Sequence, residues 1–394
     1  MGNRVHSIDI FRGLTIFLMV FVNEVAGVHG VPSWLKHVPA DSNGMTFVDV
    51  VFPAFLFIVG MAIPFAIKKR RDNSSSPQDF WLHVGSRFVG LIVLGVFMVN
   101  SGEMNVEQTL IPKRLWSGAI YVAAILVWNR YPLTKSENWQ LTYKVLKLLG
   151  IIIFVFLFVV YRKGSEGQLT GMTPSWWGIL GLIGWAYLIG VILYTIAPDV
   201  WGGMTTMFFI ILALLVFMRS NHPSALAIPP WLQIQTMHLT HALIVVSGIV
   251  CAQILAKSGT AVNAKSKMLK MLGAGGILFF LGFLTLPFGG VGKISASPSW
   301  GLYSAGWCFV LFPIIYWIVD VQGSKKWADF LGPAGKNPLL TYILPPLFYA
   351  IVGYDIIPDI LQHGTWGIIR SFIFALFILW IARLMTKIKI QLQL

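Results

Sequence analysis

Charged side chains are scarce in this chain and acidic ones scarcest: 15 Asp and Glu stand against 29 Lys and Arg in 394 residues. Charge of either sign makes up 11% of the sequence and hydrophobic residues 56%, too little polar surface to cover soluble domains, so the composition implies a polytopic membrane protein. The net charge of +14 then belongs to Lys- and Arg-rich cytoplasmic loops, not to a nucleic-acid surface. Cysteine is limited to Cys251 and Cys308, both inside apolar runs, which gives no disulfide framework and no thiol-based metal site. Walker A, dinucleotide and G-x-S-x-G signatures are missing, and with them the common soluble-enzyme chemistries. The first apolar run carries Asp9 and Arg12 and no cleavage pattern, so it is expected to be an uncleaved span.

Apolar runs near the length of a bilayer crossing predict spans at 8–28, 46–67, 82–100, 115–133, 145–161, 177–197, 203–219, 238–256, 268–290, 301–320, 338–354 and 367–386. The expectation is an all-α polytopic membrane protein, a bundle of about 10–12 transmembrane helices forming one domain over 1–394. In that count Arg4, the run from Lys68 to Arg71, Arg130, Lys135, Lys257, Lys265, Lys267, Lys270, Lys325, Lys326, Lys336, Arg383, Lys387 and Lys389 all fall on one side. By the positive-inside rule that side is the cytoplasm, together with both termini.

The hairpin over 8–67 is where function concentrates, because ionisable and amide groups interrupt its apolar runs. On a helix Asp9, Arg12 and Asn23 fall within an arc of about 60°. Asp49, Pro53, Leu56 and Gly60 share a similar arc on the second span, and Gly60 admits close approach of another backbone. With His37 in the loop between them, Asn23, His37 and Asp49 are placed to converge at one mouth of the bundle. Asp9 and Arg12, three residues apart, suit an ion pair equally well.

Further along, Arg87 lies inside the third span, with Asp9 as a candidate partner and snorkelling as the alternative. Arg114 opens the fourth span, and Lys293, Ser299 and Trp300 come at the outer mouth of the tenth, where Pro298 starts a helix. Asn337 before Pro338 is a helix cap with Lys336 beside it, a combination that also suits an anion. Pro345 and Pro346 are expected to interrupt the same helix, and His238 and His241 to make polar contacts at the interface, not to hold a metal.

These residues carry a resemblance. S-I-D-I-F-R-G, F-V-N, L-K-H and T-F-V-D-V-V-F-P-A-F-L-F-I-V-G, then Arg114, Lys293 with P-S-W, I-V-D-V and G-K-N-P-L-L-T-Y, resemble the heparan-α-glucosaminide N-acetyltransferase family of transmembrane acyltransferases, which has many bacterial members. The resemblance implies a membrane-embedded acetyltransferase that takes acetyl-CoA from the cytoplasm and acetylates an amino sugar or related glycan across the membrane, here the plasma membrane of a bacterium. It implies His37 as catalytic residue with Asn23 and Asp49 shaping the site. Asp9, Arg12, Arg87, Lys336 and Asn337 are then the candidate contacts to CoA, and Arg114, Lys293, Ser299 and Trp300 those to the acceptor. Acetyl-CoA, the glycan, the lipid bilayer and a second copy of the chain are the partners this admits; metal and nucleic acid have no place in it. The chain departs from the family in Ile120 and Tyr121, where a Gln-Arg pair is expected, and in lacking long luminal loops, which leaves the acceptor open. A secondary transporter of a sugar or organic anion is the competing class, suited by twelve spans and intramembrane charge but not by the absence of an internal repeat.

Overall fold

A computed structural model describes residues 5–72, 76–165, 168–198, 202–220, 236–256 and 263–393; Arg4 and Lys257 lie outside them. Each expected span is a helix: α1 His6–Ala26, α2 Val48–Asp72, α3 Pro77–Glu103, α4 Lys113–Trp128, α5 Glu137–Val160, α6 Gly178–Ile196, α7 Gly203–Met218, α8 Thr236–Ala256, α9 Ala264–Leu284, α10 Pro298–Tyr316, α11 Pro338–Val352 and α12 Gly364–Lys387. Eight of them are long and apolar enough to cross a bilayer, while α7 and α11 are apolar but shorter. Among the described residues there are no strands, only isolated bridges between loops. The chain is an all-α polytopic membrane bundle.

Local chemistry sets the helix ends. Ser76 and Ser297 cap α3 and α10 by accepting from the backbone N–H of Asp79 and Trp300, each followed by a proline whose missing N–H costs nothing in a first turn. The first turn of α1 is capped from a distance: the carboxylate of Asp320 accepts from the N–H of His6 at 3.1 Å and of Ser7 at 3.0 Å. Contrary to the sequence expectation, α11 runs unbroken through Pro345 and Pro346. Its contacts with α1, α4 and α12 hold it helical although two carbonyls lose their partners.

At the centre α2 and α8 meet backbone to backbone. A Cβ on Gly60 would overlap the Val245 carbonyl oxygen, and one on Gly248 the carbonyl oxygen of Phe57. Around this contact pack Leu56, Phe57, Met61, Phe309 and Phe312, all buried. Cys251 and Cys308 are buried here too, each a free thiol.

Loop contacts define two ends of the bundle. At one, the loop after α1 meets those after α9 and α11, through Gly44 N–H to the Val291 carbonyl at 2.9 Å and His29 N–H to the Gln362 carbonyl at 2.8 Å. At the other, the start of α1 meets the 320–337 segment, and the Arg130 N–H donates to the Gln391 carbonyl at 2.8 Å. Asp9 and Arg12 sit at this terminal end, 3.2 Å apart, with Arg12 also donating to the Gly335 carbonyl at 3.2 Å. Gly13 and Gly335 permit that approach, since a Cβ on either would lie about 2.5 Å from a backbone oxygen of the other segment.

Gly60→Leu is expected to destabilise the bundle by roughly 1–3 kcal/mol or more, because backbone on the facing helix cannot yield as a side chain would. Thermal unfolding in detergent checks this. An unchanged melting temperature would mean that α2 and α8 are not in backbone contact.

Candidate active site

The site grows out of the first turn of α2. Asp49 reaches back to accept from the backbone N–H of Thr46 at 3.0 Å through Oδ2, the return bond of a capping box. That leaves Oδ1 facing the loop, where His37 Nδ1 lies 2.7 Å away. A carboxylate only accepts, so the shared proton sits on Nδ1 and the lone pair is on Nε2. Asp49 is 1% exposed and His37 37%, so a buried acceptor orients a ring that opens to solvent. This is the arrangement by which a carboxylate sets the tautomer of an imidazole.

The loop is tied down on both sides of His37. Thr46 Oγ1 donates to the Lys36 carbonyl at 2.8 Å, closing its base. Asn43 Oδ1 accepts from Val291 N–H at 2.6 Å, zipping the loop to the 289–297 segment. Gly290 permits this: its φ is +61° and a Cβ there would fall 2.8 Å from the Asn43 oxygen. The zipper delivers Lys293, whose Nζ is 3.1 Å from both ring nitrogens of His37 and 3.9 Å from Asp49 Oδ1. Equidistance puts the ammonium out of the ring plane, since an in-plane position would overlap Cε1. Burial lowers the Lys293 pKa below the ordinary lysine range, with the Asp49 carboxylate pulling the other way.

The remaining sequence candidates divide by place. Trp300 is fully buried, and its Nε1–H grips the Asp49 backbone carbonyl at 3.2 Å, so it supports the site from behind. Ser299 is buried as well, 3.1 Å from the Thr285 hydroxyl. Asn23 is exposed at the same end, one residue past Val22, which packs on Val48 and Val51 of α2; no hydrogen bond joins it to His37 or Asp49. Arg114 donates to the Ile351 carbonyl at 3.1 Å, between α4 and α11 and apart from this cluster.

At the other end the expected roles change. Arg87 stands 4.6 Å over the Tyr187 ring, and the ionic partner seen for Asp9 is Arg12. Asn337 does not cap α11 with its side chain: it is buried and holds the C-terminal segment, donating to the Ile390 carbonyl at 3.0 Å and accepting from Leu392 N–H at 3.1 Å. Lys336 is exposed. His238 and His241 are buried among aromatic rings, and both nitrogens of His238 lack a hydrogen-bond partner among the described residues, where polar contacts were expected. Sequence reasoning missed Glu24, next to Asn23, which accepts from the Tyr349 hydroxyl at 2.8 Å and lies 3.4 Å from Arg370. A carboxylate inside an apolar run was the available signal.

A cavity of about 170 Å³, lined mainly by apolar side chains, lies between α1, α2, α3, α6 and α11. Arg87, Pro338 and Gln393 line it toward the terminal end; Met19, Phe55 and Tyr342 line it and pack on Val48 and Val51 in the first turns of α2.

A family model described as a domain of unknown function, DUF5009, matches residues 4–229. The chain belongs to the DUF5009 family. This DUF5009 protein is also similar to two named proteins. It is 34% identical over 115 residues to heparan-alpha-glucosaminide N-acetyltransferase of Mus musculus, 28% of this chain and 17% of that protein. With the Homo sapiens protein of the same name the figures are 34% over 113 residues, 28% and 16%. The match thus spans about a sixth of the length of these relatives.

Asp49→Asn is expected to shift the His37 proton from Nδ1 toward Nε2, because an amide can donate where the carboxylate only accepts. Nitrogen NMR of histidine-labelled protein, with the His37→Gln spectrum subtracted to assign the signal, reads the tautomer. The same tautomer in both forms would show that Asp49 does not set it.

Proposed function

We propose that this protein is a membrane-embedded acetyltransferase that moves an acetyl group from acetyl-CoA, supplied at the terminal end, to an amino sugar or related glycan at the His37 end. The observation that carries the reading is the His37–Asp49–Lys293 cluster: an imidazole held by a buried carboxylate with a cation beside it. The partial similarity to two N-acetyltransferases supports the reaction class. The concentration of basic residues in the loops of the terminal end supports a cytoplasmic location for that end and both termini, and a bacterial plasma membrane as the setting.

His37 Nε2 takes a proton from the acceptor amine as its nitrogen forms a bond to the thioester carbonyl carbon. Lys293, over the ring, faces the oxygen that becomes negative in the tetrahedral intermediate, and its partial burial strengthens that attraction. Asp49 stabilises the imidazolium, which then returns the proton from Nε2 to the thiolate as the carbon–sulfur bond breaks. Asn23, exposed at the same end, is the second candidate donor to that oxygen. On this reading Arg87 and the residues around Met19 and Tyr342 take the donor's arm, Lys336 contributes charge at the rim, and Asp9, Arg12 and Asn337 act by holding the terminal end together. Arg114, Ser299 and Trp300 bound the acceptor side, the last two from behind. A transporter would need its charged groups near the middle of the bundle, and a dyad locked by a buried carboxylate at one end does not suit that.

His37→Ala is expected to lower acetyl transfer to glucosamine by about 10²–10⁴-fold while acetyl-CoA binding, followed by calorimetry, stays close to wild type. Full activity in the variant would remove His37 from the mechanism.

Lys293 also dates the alkaline limb of the pH profile. Its pKa is lowered, so the cation is lost as pH rises, at a pH below that of an ordinary lysine, and the rate should fall with it. Lys293→Arg, whose guanidinium stays charged, is expected to move that fall to higher pH. An alkaline limb that does not move would exclude Lys293 as the group responsible.

A further inference from the structure

Four consecutive basic residues end α2, and only one turns inward: Lys68, Lys69 and Arg71 are exposed, while Arg70 is half-buried. Arg70 faces α3, where His83 and Arg87, four residues apart and so on one face, are half-buried too. Together with Phe80 and Tyr187 these three line a second cavity, of about 50 Å³. The Tyr187 side chain holds the Arg87 guanidinium, whose carbon stands 4.6 Å from the ring centroid.

Among the described residues no carboxylate pairs with any of the three; the ion pairs formed there all have other members. Two guanidiniums gathered at a protein–membrane boundary repel each other and lose hydration; a bound oxyanion offsets both, and the His83 imidazole beside them adds an N–H donor. Arg87 lines the larger apolar cavity as well, so the cationic cavity and the apolar one share a single guanidinium.

We infer that Arg70, His83 and Arg87 form a binding site for phosphoryl oxyanions at the terminal end of the bundle. Resting on the proposed function, its occupant is the phosphate-bearing end of the acyl donor, whose arm then enters the apolar cavity past Arg87. The same chemistry would recognise an anionic lipid headgroup. Neither His83 nor Arg70 belongs to a motif that pointed to a ligand; His83 shares the α3 face of Arg87, and Arg70 comes to both because α2 and α3 each pack on α6.

The test uses the full chain in nanodiscs of phosphatidylcholine alone, titrated with inorganic pyrophosphate and separately with CoA. Both should bind, more weakly as salt rises. Arg70→Gln and His83→Gln should each raise the Kd by about tenfold, the worth of a charge-assisted bond, and Arg70→Lys should raise it less. Lys69→Gln, one residue away and exposed, should leave it unchanged. A parallel melting curve identifies any variant that fails to fold, and the Arg70→Lys comparison then decides. Absence of pyrophosphate binding, or equal losses in Lys69→Gln and Arg70→Gln, overturns the site. Loss of pyrophosphate binding when phosphatidylglycerol is added keeps the oxyanion site and overturns the coenzyme as its occupant. A protein that binds pyrophosphate through Arg70 but transfers no acetyl group keeps the site and loses the proposed reaction.

Discussion

A carboxylate taken out of water costs several kcal/mol unless its lone pairs are occupied, and Asp49, with its side chain 1% exposed, is the group whose satisfaction organises this end of the molecule. One oxygen completes the start of α2 by bonding the Thr46 N–H, and the other fixes the His37 ring. Its own backbone carbonyl is gripped by Trp300 of α10. The same residue therefore joins a helix start, a loop and a distant helix. The loop from α1 to α2 is ordered because the hydrogen bonds that Asp49 requires come from that loop. Replacing it by an apolar residue would strand the N–H of Thr46 and release the ring together.

Two regions of different chemistry follow from this placement. The His37 end has an imidazole and a cation on an ordered loop pair, while the terminal end has the Asp9–Arg12 pair, the Asn337 anchor and the capping of α1 by Asp320, all contacts that tie segments together. The apolar cavity takes Phe55 from α2, a side chain that packs on Val48 and Val51 near Asp49.

The helices were legible because apolar runs near bilayer length are what a membrane demands, and all twelve expected spans are helices. The close approach at Gly60 was legible for a similar reason, as small residues mark helix contacts. His37 and Asp49 were legible because a carboxylate at N3 of a helix and a histidine in the loop before it are neighbours in sequence. Lys293, 256 residues from His37, reaches it only through the Asn43–Val291 zipper, a pairing that no local pattern announces. Arg87 meets the Tyr187 ring where Asp9 was the candidate partner, since an aromatic face can hold a guanidinium as well as a carboxylate can, and nothing in α3 says which. Pro345 and Pro346 misled because the rule for isolated helices ignores the packing that holds α11 together. Asn337 was read as a cap from its place before Pro338, but its amide found partners in the C-terminal segment.

The central claim is that one chain joins a cytoplasmic acyl donor to an acceptor on the other side. Vesicles carrying the purified protein in one orientation, with the basic terminal end inside, can be loaded with acetyl-CoA and given glucosamine outside. The account predicts N-acetylglucosamine in the outer medium and free CoA retained in the lumen. Glucosamine taken up unmodified, or no product in either compartment across a panel of amino sugars, would contradict it.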